Sequence, residues 1–83
     1  MDNEDRSLST LVKEIRQQLA LSQEDLARRL NVSYATVNRW ENGQSLPSKL
    51  AKAQLTAFCK KMIKQGKLAL ADDLIDSAGL SQD

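Results

Sequence analysis

At 83 residues the chain is long enough for one small domain with a single core. Apolar residues make up 41% and charged residues 28%, an ordinary soluble globular composition, and a core with only Tyr34, Trp40 and Phe58 as aromatics leaves modest stability that self-association would raise. With a net charge of +1, no His and Cys59 as the sole cysteine, the chain can form neither an internal disulfide nor a zinc site, and a reducing cytoplasm is the expected location.

The opening residues, MDNEDRS, are acidic and polar, unlike a signal peptide, and residues 1–7 are expected to form a flexible acidic end. Helical spacing begins after them. Leu8, Leu11, Val12, Ile15 and Leu19 form one apolar stripe, which predicts a first helix over about residues 8–20, capped by Ser7 or Ser9. A second helix is expected over residues 23–30. Ser22 is a good N-cap, Asp25 completes a capping box, and Leu26, Ala27 and Leu30 face inward. Asn31 tolerates positive φ and can end this helix.

Ser33 caps a third helix over residues 34–42, with Gly43 where a left-handed residue belongs. Val32, in the turn between the two, should plug into the core. Pro47 suits the first turn of a fourth helix, expected over residues 47–65 and stopped by Gly66. Its apolar positions are Leu50, Ala51, Leu55, Phe58, Cys59, Met62 and Ile63. A fifth helix is expected over residues 68–78, and residues 79–83 should fray. No apolar run approaches the roughly 20 residues of a membrane span. No strand-like alternation, internal repeat or low-complexity segment appears, so the expected class is all-α, with residues 8–78 as one helical domain.

Two short helices joined by a tight turn at Asn31-Val32-Ser33 have the spacing of a helix-turn-helix, residues 23–42. Ala27 lets the helices approach, and Leu26, Leu30, Val32, Val37 and Trp40 supply the plugs. Each plug alone is only a core residue; the joint pattern is far more specific. At about 100° per residue, Val37, Trp40 and Glu41 share one side of the third helix. Ala35, Asn38, Arg39 and Asn42 form the opposite side. Tyr34 lies between them in the first turn, where its ring can swing outward.

That outer side suits a DNA major groove, which admits an α-helix. Arg39 can donate two hydrogen bonds to a guanine edge. Asn38 suits adenine or a phosphate, Ala35 permits close approach to a thymine methyl, and Tyr34 suits a base, a phosphate or the sugar. Ser33 and Thr36 are shorter-range candidates, Ser33 at base edges and Thr36 at phosphate. Phosphate contacts fix register without reading sequence. Gln23 at the start of the second helix is a candidate for them, as are Asn42, Gln44, Ser45, Ser48 and Lys49, with Lys52, Arg28 and Arg29 further out. Solvent exposure alone would account for any one of these polar residues.

The charge layout fits an anionic partner and a merely solvated basic surface equally well. Asp2, Glu4 and Asp5 lie at one end, and Asp72, Asp73, Asp76 and Asp83 at the other. Between them fall all twelve Lys and Arg, against only Glu14, Glu24, Asp25 and Glu41.

The text IRQQLALSQEDLARRLNVSYATVNRWENGQSLP, residues 15–47, resembles the Cro/repressor class of lambda-repressor-like helix-turn-helix proteins, often called the XRE family. The resemblance runs from Leu11 to Leu50. It includes the SQ-x-x-LA opening, the apolar turn, the V-x-x-WE-x-G close and the following Pro. Asn31 departs from it, since the family most often has Gly there. The resemblance implies a five-helix domain that binds double-stranded DNA, as a homodimer on a palindromic operator. It implies that Gln23 and Asn42 clamp the DNA backbone. It also implies a partly buried ion pair between Arg16 and Glu41, which would explain an acidic residue beside a DNA-facing helix.

Two other classes compete. One is a protein-interaction module, such as an antitoxin-like partner that retains the fold. The other is an enzyme, which the sequence argues against: there is no His, no glycine-rich phosphate loop, and no nucleophile paired with a base at a recognisable spacing. No cofactor and no small-molecule effector is expected.

Overall fold

A computed structural model describes residues 3–70 of the chain. The described residues form four helices and no strand: α1 (Asn3–Leu19), α2 (Gln23–Leu30), α3 (Tyr34–Glu41) and α4 (Lys49–Lys64). The all-α class therefore holds, with four of the five expected helices. Leu68, Ala69 and Leu70 are not helical, so a fifth helix does not start at Leu68; the rest of that expected helix lies outside the described residues.

α1 starts at Asn3 rather than near Leu8. Residues 3–7 hold no Pro or Gly, so nothing in them stops the helix from extending backwards. Ser9 is consequently inside the helix and is no cap. Its hydroxyl instead donates to the backbone carbonyl of Glu41, which pins α1 to the end of α3.

The other three helices start alike. Ser22, Ser33 and Ser48 each place a side-chain oxygen on the backbone N–H three residues ahead, at Asp25, Thr36 and Ala51. At Ser22 the box is reciprocal, because the Asp25 carboxylate accepts the Ser22 N–H at 3.2 Å. These bonds hold the Asp25 carboxyl below the usual range: the Ser22 backbone contributes most, then its hydroxyl, with Arg28 adding less.

All four helices also end alike. Each closes with a left-handed residue, at Ala20, Asn31, Gly43 and Gly66. In each case the next N–H reaches back five residues, as Leu21 does to the Arg16 carbonyl at 2.9 Å and Val32 to that of Ala27 at 2.9 Å. Asn31 adopts φ 61° and ψ 42°, so its departure from Gly does not change the turn. Ala20 adopts φ 57°, where a β-carbon costs roughly 1–2 kcal/mol and Gly would be at ease.

The core lies between the helices. Leu8, Leu11, Val12 and Ile15 from α1 meet Leu26, Ala27 and Leu30 from α2, Val37 and Trp40 from α3, and Ala51, Leu55, Cys59 and Met62 from α4. Val32 packs against it from the turn. α3 sits on both α1 and α2, and α4 packs on α2. Burial pushes the Cys59 thiol up to about 11, so it stays protonated at neutral pH.

The expected apolar side of α4 needs correction. Leu50 is 70% exposed and Ile63 39% exposed. The buried stripe runs through Ala51, Leu55, Cys59 and Met62, and each of the two exposed residues is one position off it, about 100° round the helix. After α4 the chain folds back on α1. Leu68 is buried, and the Gln18 amide both donates to the Ala69 carbonyl and accepts its N–H, each at 2.8 Å.

Candidate nucleic-acid interface

The site is the outward side of α3 with its two flanks. α3 has eight residues, and its sides divide as helical periodicity requires. Val37, Trp40 and Glu41 are buried. Tyr34, Ala35, Arg39 and Asn42 are exposed. The Arg39 side chain makes no hydrogen bond or ion pair among the described residues, so its five N–H donors remain available. Tyr34 is 54% exposed.

Glu41 is the single buried charged residue among those described, 4% exposed. Arg16 from α1 grips it as a fork, Nε donating to Oε2 at 2.6 Å and Nη2 to Oε1 at 2.9 Å. Arg16 Nη1 also donates to the Leu21 carbonyl at 3.1 Å, so one guanidinium joins the end of α1 to α3. Gln23 Nε2, at the start of α2, supplies a third donor to the carboxylate at 2.9 Å. Three helices therefore converge on one carboxylate. Burial pushes the Glu41 carboxyl up, but the bonds from Arg16 and Gln23 and the charges of Arg16 and Lys13 outweigh it, so the group sits below the usual carboxylate range. The bond to Glu41 likewise raises Arg16, against a smaller loss from burial. No described buried side-chain nitrogen or oxygen lacks a partner.

Asn38 differs from the sequence expectation. Its helical angle points outward, yet the residue is half-buried. Its Nδ2 donates to Gln23 Oε1 at 3.1 Å, and its Oδ1 accepts from Asn42 Nδ2 at 3.0 Å. Gln23 is half-buried too, with its side chain turned under α3 instead of standing free at the start of α2. Periodicity misses this cluster because it reports direction and says nothing about amide partners. The available signal was that Asn38 lies only about 60° from Glu41 round the helix, at the border of the two sides.

The remaining candidates occupy the flanks. Ser33 and Thr36 hydroxyls bond each other at 2.9 Å, and Ser33 also caps α3, so both are partly committed. Gln44 is exposed and Ser45 half-buried in the loop after α3. Ser48 is exposed, but its oxygen accepts the Ala51 N–H at 3.1 Å. Lys49 opens α4 and is exposed, while Lys52 is half-buried. Arg28 pairs with Asp25 at 2.7 Å on the solvent side of α2, and Arg29 is exposed there. Sequence reasoning gave no role to Leu46, which is 53% exposed in the loop before α4.

Residues 12–51 match the family model described as helix-turn-helix. The match takes in the second half of α1, all of α2 and α3, and the first turn of α4. Over these residues, a little under half of its length, the chain is similar to helix-turn-helix domains of the Cro/repressor-like kind, a class of DNA-binding proteins. No curated protein and no solved structure matches it. Among the described residues no helix is long and apolar enough to cross a membrane.

Proposed function

We propose that this protein binds double-stranded DNA in a sequence-specific way, as a cytoplasmic transcriptional regulator, with α3 lying in the major groove. The observation that carries the reading is Arg39. It stands exposed on the outward side of α3, without a protein partner among the described residues, while Glu41 on the opposite side is fully satisfied. A guanidinium held this way can take a guanine O6 and N7 together. Tyr34 and Ala35 precede it on the helix and meet the neighbouring bases, with Ser33 and Asn38 at the edges of the footprint. Asn42, Gln44, Ser45, Lys49 and the backbone amides at the starts of α2 and α4 hold phosphates, with Gln23, Thr36 and Ser48 as lesser contributors.

One helix of this length reaches few base pairs. A homodimer on a palindrome doubles that number, with half-sites roughly 34 Å apart. Selection of bound duplexes from a random pool tests the reading. The expected result is a palindromic motif, and Arg39→Ala should relax preference at one base pair per half-site by about 1–3 kcal/mol. An absence of any enriched motif at moderate salt refutes it.

A second reading, a protein-interaction module that retains the fold, draws on Leu46 and Leu50. Both are exposed, in the loop before α4 and at its start, at 53% and 70%. Under that reading Leu50→Asp abolishes binding of a protein partner, and Arg39→Ala changes nothing.

A further inference from the structure

The polar cluster beneath α3 has a direction, and Glu41 sets it. An ionised carboxylate accepts hydrogen bonds and cannot donate them. Gln23 must therefore turn Nε2, its donor end, toward Glu41, at 2.9 Å. That leaves Gln23 Oε1 facing Asn38, whose Nδ2 donates to it at 3.1 Å. Asn38 is then left with Oδ1 for its neighbour, and Asn42 Nδ2 donates there at 3.0 Å. An amide in isolation can face either way. Here each amide is oriented by the one before it, from a carboxylate in the core to Asn42 on the exposed side of α3.

We propose that Gln23 is a positioning residue: it transmits the acceptor character of Glu41 outward and so fixes which ends of the Asn38 and Asn42 amides meet nucleic acid. The inference rests on the DNA-binding reading above. A base edge or phosphate then meets a set order of donors and acceptors rather than two rotating amides. Less ordering remains to be done on binding, and the wrong edge meets an acceptor against an acceptor. Neighbouring bonds in such a chain also polarise one another. The Arg16 fork has a matching role, because it keeps Glu41 ionised inside the fold.

The test separates the relay from its use. Asn38→Asp puts an acceptor where Gln23 Oε1 needs a donor. Whichever way Gln23 then turns, its Oε1 faces a carboxylate. In thermal melts of the free protein, Asn38→Asp should lower the melting temperature, and the drop should shrink to roughly half or less in a Gln23→Leu background. The comparison cancels any effect of the new charge that does not pass through Gln23. Equal drops in the two backgrounds overturn the relay.

The second arm selects bound duplexes with wild type, Asn38→Ala and Gln23→Leu. Gln23→Leu should lose about tenfold discrimination at the base pair that Asn38→Ala also relaxes, and keep the preference set by Arg39. Full discrimination at that pair by Gln23→Leu, or no relaxed pair with Asn38→Ala, overturns the positioning role. Failure of the wild type to select any duplex overturns the DNA-binding reading instead, and the melts still decide the relay.

Discussion

On one side of α3, Val37 and Trp40 are 0% and 2% exposed and the Glu41 carboxylate takes three donors. On the other, Arg39 and Tyr34 stand in solvent, and Arg39 has no partner among the described residues. The two sides belong to the same eight residues and each carries a charge. Charge alone therefore does not mark a binding surface. What separates Glu41 from Arg39 is whether the fold already supplies the complementary groups. Where it does, the charge joins helices; where it does not, the charge is available to a partner. Asn38 lies between these extremes, tied on both ends yet at the edge of the outward side.

The comparison can be broken from its inner side first. Trp40→Ala should cost about 3–5 kcal/mol in urea unfolding, because it empties the contact between α3 and the other helices. For a domain this small, that is a large share of the whole stability. Glu41→Ala should cost about 3 kcal/mol, the lower end for a broken buried pair, since Arg16 keeps some access to solvent. A melting temperature unchanged by Glu41→Ala would remove the structural role of that side.

The same carboxylate should appear in the acid response. Its folded pKa lies below the unfolded value of 4.5. Its contribution is thus complete above about pH 4.5 and is lost as pH falls through the lower folded pKa. Melting temperatures taken from pH 7 down to 3 should fall in that window for wild type, and less steeply for Glu41→Gln. On the outer side, Arg39→Ala should change stability by no more than about 0.5 kcal/mol. A similarly small effect belongs to neither side. Ala20→Gly should raise stability by about 0.5 kcal/mol, by relieving the left-handed residue that ends α1. A loss there would mean that the turn is not strained in solution.

Much of this division was legible in the sequence, because it follows from helical periodicity. The spacing of Leu26, Leu30, Val37 and Trp40 places them inside, and all four are buried. Turn chemistry marks the ends of α2 and α3, where Ser22, Asn31, Ser33 and Gly43 act as their residue types suggest. Periodicity also turns Glu41 inward, while its pairing with Arg16 came from the family resemblance.

Other features were not legible, for different reasons. Leu50 and Ile63 are apolar yet exposed, because the inner stripe of α4 is narrower than its apolar content. The start of α1 at Asn3 is weakly marked, since the apolar stripe that signals the helix begins only at Leu8. The amide chain through Gln23, Asn38 and Asn42 depends on distances between two helices, which no spacing within one helix contains.

The central claim is that the outward side of α3 reads DNA while the inward side holds the fold. It is tested most directly by measuring base-pair discrimination and melting temperature together for wild type and Arg39→Ala. The account predicts relaxed preference at one base pair per half-site, with an unchanged melting temperature. A uniform loss of affinity across all sequences, or a loss that follows a lowered melting temperature, would contradict it.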